Sequence, residues 1–359
     1  MVSPGASQQG CVPSDDRDPL SPGARCGTSG SMTVALVSPH FARTYATEFN
    51  AALSAAGLEC ELLLLPEDPN ARLSPQDCAR VEIAFFSLDM FPRIWRGFFA
   101  AAAAAPDLKW VHVFNAGVDN PVFSALMERG VRLTTSSGST AKPIAQTAIG
   151  GMLMLARGFP AWGESQRRHA WEPVRAGFPP DLDTQTLVVL GVGAIGNEIA
   201  RLARAIGLQV IGVRRSPRRD SDHVDELAPP AALTQVLPRA DWLALACPLT
   251  SETRGIIGAT ELALLPAGAK IINIARGEVI DEPALIEALR SGHLGGAYLD
   301  VASTEPLPAG SPLWDLPNVI ISPHNSAAAD GNERRTVEYF LANLVAWARD
   351  EPLVNEVAT

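Results

Sequence analysis

From Thr33 onward, short apolar runs alternate with longer stretches whose apolar residues recur at helical spacing. Val34–Val37, Glu61–Leu65, Val81–Phe86, Trp110–Phe114 and Val131–Thr134 read as strands, with helices over Thr44–Ala56 and around Ile94–Ala105. Strands separated by helices pair in parallel, so this stretch predicts a first α/β domain. Pro143 is expected to open a helix, Ile144–Ala156, at its favoured first position and to lead into a second series. That series is Leu187–Leu190, Val210–Val213, Trp242–Ala246, Lys270–Ile274, Gly296–Leu299 and Val319–Ile321. Asn332–Ala348 carries Val337, Phe340, Leu341, Leu344 and Val345 at helical spacing and is expected to return to the first domain. The expected class is α/β, with two doubly wound parallel sheets and a cleft between them.

Length and charge narrow the picture. A chain of 359 residues suits two domains better than one core. Its net charge of −10 argues against a nucleic-acid or anionic-membrane partner. The longest apolar candidate, Phe98–Ala105, is far too short to span a bilayer. Residues 1–31 are rich in Ser, Pro, Gly and Asp, lack the apolar core of a signal peptide, and are expected to be a disordered extension. The five cysteines (Cys11, Cys26, Cys60, Cys78, Cys247) are scattered, without CxxC or Cys/His pairing, so neither a disulfide frame nor a metal site is expected. A cytoplasmic location follows as the expectation.

Between Leu187–Leu190 and an Ala- and Leu-rich helical stretch lie Gly191, Gly193 and Gly196, in the order GVGAIG. Three glycines alone are a weak signal in a chain with 29 of them. Here a strand runs into the turn, a helix leaves it and a second strand follows, which is the unit that cradles a dinucleotide pyrophosphate. Gly191 makes the turn, Gly193 lets the backbone approach the phosphates, and Gly196 lets helix pack on strand. The N–H groups at Ala194 and Ile195 then face the anion.

About 20 residues past the first glycine, NAD binders place a carboxylate to accept from the ribose hydroxyls. This chain has Arg214, Arg215 and Ser216 there, then Arg218 and Arg219. Guanidinium forks bind a 2'-phosphate that a carboxylate repels, so NADP(H) is expected over NAD(H), with NAD as the alternative. Arginine is also this chain's default base, since only three of its 29 basic residues are lysine. A solvated loop therefore explains Arg218 and Arg219 equally well.

Ligands of doubly wound sheets collect beyond the carboxyl ends of the strands. Three chemically telling residues stand there: Arg276 after IINIA, Glu305 shortly after LDV, and His324 after IISP. An arginine can hold a 2-oxo carboxylate and polarise its carbonyl, and a histidine can supply the proton. A carboxylate on the other ring nitrogen orients the imidazole. Singly, each also has a plain structural reading: a strand-end cap, a Glu-Pro turn, a loop histidine. His40, His112, His169, His223 and His293 lack such surroundings and read as structural or surface residues.

The run IINIARGEVIDEPALIEALRSGHLGGAYLDVASTEPLPAGSPLWDLPNVIISPH, with GVGAIGNEIA upstream, resembles the D-isomer-specific 2-hydroxyacid dehydrogenases from Val81 to Val345. The resemblance implies a flavodoxin-like substrate domain (32–142 plus 326–359) and a Rossmann dinucleotide domain (143–325). It also implies catalytic roles for Arg276, Glu305 and His324. Asp300, with Ala275 nearby, falls where the family meets the nicotinamide carboxamide, and Cys247, Pro248 and Thr250 fall beside the adenosine. Ser87 and Leu88, through backbone N–H groups, and Gly117, within Ala116–Asp119, correspond to the substrate-carboxylate loops. Leu88, Met90 and Trp314 are expected to line the pocket. Gln146 and Asn325 depart from the family's common residues, and Arg214 stands as in its NADP-using glyoxylate/hydroxypyruvate reductases. Homodimerisation is implied as well.

The expected activity is reversible hydride transfer between NADP(H) and a 2-oxo acid/D-2-hydroxy acid pair. A nucleotide-sensing binding protein of the corepressor type is the alternative, and oxidation of an inorganic anion such as phosphite is a third reading.

Overall fold

The computed structural model describes residues 32–357 except 116 and 119. The expected extension over 1–31, with Cys11 and Cys26, lies outside the described residues, as do Ala116 and Asp119. Two parallel sheets organise the rest. The first holds β1 (Thr33–Val37), β2 (Cys60–Leu64), β3 (Ile83–Phe86), β4 (Trp110–Val113) and β5 (Arg132–Thr135), in the order β2-β1-β3-β4-β5. The second holds β6 (Thr186–Leu190), β7 (Gln209–Val213), β8 (Glu226–Ala228), β9 (Trp242–Leu245), β10 (Lys270–Asn273), β11 (Gly296–Leu299) and β12 (Val319–Ile321). Their order is β12-β11-β10-β9-β6-β7-β8.

Helices cover both faces of each sheet, which is why β1, β3, β4 and β9 are buried along their whole length and read as unbroken apolar runs. Each sheet reverses its winding once, between β1 and β3 and between β6 and β9. Such switch points open a crevice at the carboxyl ends.

Several boundaries shift for identifiable reasons. The helix expected over Thr44–Ala56 is two helices, Pro39–Thr44 and Ala46–Ala56, joined at Tyr45. Ser38 accepts from the Phe41 N–H and Pro39 takes the first position, a start signal that moves the helix onset forward. The bridging helix begins at Ala141, so Pro143 is its third residue, not its first. First-turn N–H groups have no intrahelical partner, so the proline costs no hydrogen bond there. The helix Phe159–Arg167 buries no residue and β8 is a three-residue edge strand, so neither stood out as a pattern. Among the described residues no helix is long and apolar enough to cross a membrane.

The last helix, Asn332–Ala348, lies against the first sheet. Phe340 stacks on Phe85 with ring centroids 4.3 Å apart and on Trp110 at 5.5 Å. Val337 and Leu344 complete this layer with Phe41. Each such side chain removed from water contributes about 1.5–3 kcal/mol.

His112 sits at the centre of the same layer, fully buried. Its hydrogen bonds run in one direction. Trp110 Nε1 donates to Thr134 Oγ1 (2.8 Å), leaving that hydroxyl to donate to His112 Nδ1 (2.7 Å). Nε2–H then donates to Ser136 Oγ (3.0 Å), whose hydroxyl reaches the Val113 carbonyl (3.1 Å). The chain is complete only with a neutral imidazole, and burial pushes its pKa down to about 3.

An unfolded histidine titrates near 6.5, so below that pH the unfolded state binds the extra proton and the fold loses stability. The loss continues down to about pH 3 and amounts to about 2 kcal/mol at pH 5. Urea midpoints at pH 7.5 and pH 5 should therefore separate more in the wild type than in His112→Asn. Equal separations would refute the assignment.

Candidate active site

The glycine turn is shaped by close backbone approaches. Gly191 has φ of 100°, and a Cβ there would lie 2.5 Å from the Cys247 nitrogen. Both facts demand glycine, and they seat the loop after β9 directly on the turn. A Cβ at Gly196 would strike the Gly191 carbonyl oxygen. At Gly193, by contrast, nothing lies within 4 Å of a Cβ, and this residue precedes the helix Ala194–Ala205 without any side-chain cap. The open space over uncapped N–H groups at Ala194 and Ile195 fits a pyrophosphate. On the far side, Thr250 Oγ1 accepts from the Glu252 and Thr253 amides and so folds the loop after Cys247 and Pro248. The Cys247 thiol is buried, which raises its pKa to about 11 and keeps it inert.

The arginines after β7 divide into two kinds. Arg214 is nearly buried and its fork is bidentate to Asp222, at 3.0 Å from Nη1 and 2.6 Å from Nη2. It also donates to the carbonyls of Val192, Ser216 and Pro217. The guanidinium beside Asp222 holds that carboxyl below the usual range. Asn197 keeps this loop in place by accepting from the His223 amide and donating to the Ser221 carbonyl. Arg214 thus builds the loop, whereas Arg215 is exposed, with a single partner in Glu252 at 3.0 Å. An exposed pair of that kind is worth about 0–1 kcal/mol and exchanges readily for another anion. Arg218 is spent on the carbonyls of Val224 and Asp225.

Arg276, Glu305 and His324 follow β10, β11 and β12, three adjacent strands. His324 Nδ1 lies 2.8 Å from Glu305 Oε2. The carboxylate only accepts, so Nδ1 carries the proton, and Nε2 has no hydrogen-bond partner among the described residues. The other Glu305 oxygen accepts from the Ala302 amide (3.2 Å). Ala302 in turn touches Gly277, where a Cβ would stand 1.9 Å from the Ala302 carbonyl carbon. The glycine after Arg276 therefore lets the β10 and β11 loops meet. Buried Asn273 pins that loop by donating to the Arg276 carbonyl and accepting from the Ala275 amide. The Arg276 side chain itself is exposed and donates to the Ala275 carbonyl (2.7 Å).

Asp300 is 2% exposed, and both its oxygens serve the turn that carries His324. Oδ1 accepts from Ser322 Oγ (2.5 Å), the Asn325 amide (2.9 Å) and the Ser326 amide (3.0 Å), while Oδ2 accepts from the Ser326 hydroxyl. Both carboxylate oxygens are thus engaged by that turn. The arrangement matters because His324 has φ of 54°, a left-handed conformation that costs about 1–2 kcal/mol in a residue with a Cβ. Tyr298 extends the network by bonding Ser322 Oγ at 2.7 Å. Neither Ser322 nor Ser326 was singled out by sequence reasoning, since a serine beside a histidine carries no chemical signal of its own.

Beside the pair lies a cavity of about 420 Å³ lined by Glu305, His324, Leu307, Leu313 and Trp314. Trp314 is half exposed on its wall, whereas Met90 is buried in the core of the first sheet and is not part of this cavity's lining. Ser87 is buried at the end of β3, with Leu88 opening a short 3₁₀ turn after it, and Gly117 lies in the loop after β4.

Residues 149–326 match the family model for the D-isomer specific 2-hydroxyacid dehydrogenase NAD-binding domain. A glyoxylate reductase of Aeropyrum pernix is 34% identical over 253 residues, which cover 68% of this chain and 75% of the relative. The D-isomer specific 2-hydroxyacid dehydrogenase of Xanthobacter autotrophicus Py2, solved with NADPH and MES, superposes with a TM-score of 0.68 at 32% identity. That match covers 92% of this chain and 98% of the other. The NADPH-dependent glyoxylate/hydroxypyruvate reductase of Sinorhizobium meliloti, solved with NADP and sulfate, does so at 0.67 and 29% identity, over 91% and 98%. With two parallel sheets, a glycine turn fit for a dinucleotide and a carboxylate-backed histidine, this chain belongs to the D-isomer-specific 2-hydroxyacid dehydrogenase family.

Proposed function

We propose that this chain reduces 2-oxo acids of the glyoxylate/hydroxypyruvate kind to D-2-hydroxy acids with NADPH. The observation that carries the reading is the His324–Glu305 pair, 2.8 Å apart at the end of β12 and beside the loop of Arg276. When bound, the nicotinamide supplies the hydride for the carbonyl carbon. As the imidazolium, protonated at both nitrogens, His324 gives the Nε2 proton to the carbonyl oxygen and is left as the neutral Nδ1–H ring that Glu305 holds in place. Arg276 leaves the Ala275 carbonyl to take the substrate carboxylate as a fork. Backbone N–H groups at Ser87, Leu88 and Gly117 hold the same carboxylate from the first sheet. Gly191, Gly193 and Gly196 with the amides of Ala194 and Ile195 hold the pyrophosphate, and Cys247–Thr250 flanks the adenosine. In this reading, with domain boundaries at 142/143 and 325/326, the first-domain amides face the catalytic side chains and the cofactor across one crevice.

The 2'-phosphate falls to Arg215 and Ser216, because Arg214 is committed to Asp222. Relatives of the same fold solved with NADPH or NADP support this cofactor. The test is kcat/KM for NADPH and NADH with glyoxylate, hydroxypyruvate and pyruvate, in the wild type and Arg215→Ala. The wild type should favour NADPH. The variant should lose about ten- to a hundred-fold with NADPH and little with NADH, the worth of one charge-assisted contact. A wild-type preference for NADH would overturn the cofactor assignment. Intact cofactor binding without turnover on any 2-oxo acid would return the nucleotide-sensing alternative.

The same reading includes a homodimer in the cytoplasm. Phe159, Trp162, Trp171 and Phe178 are exposed along one helix and the segment after it, and Trp171 is 95% exposed. Four large apolar side chains exposed within one segment suit a partner subunit. Light scattering at twice the monomer mass is the check, and a monomer at micromolar concentration would refute it. Free thiols at Cys60, Cys78 and Cys247 suit a reducing compartment.

A further inference from the structure

Two stretches of chain connect the sheets: residues 136–140, before the bridging helix, and residues 322–331, before the last helix. We propose that Arg335, acting through Asn332, clasps these two connections together and thereby fixes the turn that carries His324. Arg335 is a positioning residue, and the kinetic part of this proposal rests on the reductase reading above.

The clasp is a chain of directed hydrogen bonds. Arg335 Nε donates to the Ser139 carbonyl, in the first connection. Its Nη2 donates to Asn332 Oδ1 at 2.6 Å. With that oxygen taken, the Asn332 amide has its NH₂ turned to the Ala327 carbonyl, also at 2.6 Å, in the second connection. Ala327 directly follows the two residues whose amides bind Asp300. The guanidinium folds back over the start of its own helix, where Gly331 leaves room: a Cβ there would lie 2.6 Å from Nη1. In the first connection Gly138 has φ of 96°, and a Cβ there would lie 3.0 Å from the Tyr339 hydroxyl and 3.6 Å from the Cβ of Ala194 in the glycine turn. The junction therefore touches the last helix, the cofactor turn and the histidine turn at once.

Besides Glu305 on the ring and Tyr298 on Ser322, three further side chains anchor the His324 turn. Asp300 grips it from β11, and the Thr147 hydroxyl of the bridging helix, shared with the Pro143 carbonyl at 2.9 Å, reaches the Ser326 carbonyl at 3.2 Å. Asn332 is the third, and it alone is tied onward to the other connection. A left-handed histidine persists only where its surroundings over-determine it, so removing one anchor loosens the imidazole. A planar fork reaches two acceptors at a fixed angle, which an ammonium cannot do.

The experiment compares Arg335→Met, Arg335→Lys and Asn332→Ala with the wild type by amide hydrogen exchange and by steady-state kinetics with NADPH and glyoxylate. In Arg335→Met and Asn332→Ala the amides of His324–Ala328 should exchange about ten-fold faster, while those of β6, β9 and β10 keep wild-type rates. Their kcat should fall by about ten- to a hundred-fold with the NADPH dissociation constant within about two-fold, the mark of a misplaced group. Arg335→Lys should lie between. Wild-type exchange in the turn, or acceleration spread evenly over both sheets, would overturn the clasp. Should the wild type lack turnover on glyoxylate, the reductase reading would fail while the exchange comparison still decides the clasp.

Discussion

Replacing His324 with alanine is expected to lower kcat by about 10²–10⁴-fold, the usual contribution of a positioned general acid, while NADPH binds as in the wild type. The imidazole is the one titratable donor aimed from the end of β12, and its Nδ1 is already assigned by Glu305 at 2.8 Å. Methyl in place of imidazole leaves the developing alkoxide without a proton donor and leaves Glu305 with its Ala302 contact only. The cofactor cradle at Gly191–Gly196 lies on other strands and is untouched. Fluorescence titration with NADPH and a glyoxylate turnover assay settle the matter. Should the alanine variant turn over like the wild type, or lose the cofactor, the assigned role is wrong. Glu305→Gln gives a milder second reading, since an amide can still accept from Nδ1 but no longer balances an imidazolium.

Asp300→Asn should produce the second large effect, on both activity and stability. The carboxylate presents acceptors on both sides, and every neighbour it meets is a donor: Ser322 Oγ, the Asn325 amide, and the Ser326 amide and hydroxyl. An asparagine keeps one acceptor and turns an NH₂ toward the remaining donors. Facing donors in a buried site costs about 1–3 kcal/mol. Part of that strain falls on the turn, so kcat should drop by about ten- to a hundred-fold through misplacement of His324. Denaturant midpoints and kcat for glyoxylate reduction measure the two effects. A variant with wild-type stability and kcat would show that the turn holds itself without the carboxylate.

Much of this architecture is legible in the chain. β11, β12 and the last helix fall at Gly296–Leu299, Val319–Ile321 and Asn332–Ala348, as their patterns predict, because each is bounded by turn residues or carries a clear apolar face. The glycine turn is legible for the same reason, since strand, turn and helix all speak at once. What the sequence conceals are contacts between segments far apart or side chains with two uses. Arg214 stands at the right place for a phosphate, yet its guanidinium turns to Asp222. That outcome depends on how the loop after β7 folds. Met90 follows the pattern of a pocket wall but is drawn into the core beneath the first sheet. Asn332 and Arg335 look like an ordinary polar helix start until the Ser139 and Ala327 carbonyls are placed beside them.

The buried Arg214–Asp222 pair bears on any attempt to re-engineer coenzyme choice. Installing the aspartate typical of NAD users at position 214 would set two carboxylates against each other, in a site where the Arg214 and Asp222 side chains now expose only 10% and 3% of their surface. The loop would splay before any ribose arrived. The loop after β7 therefore tolerates change at position 214 only together with position 222, and a single substitution there probes the loop's fold before it probes the coenzyme.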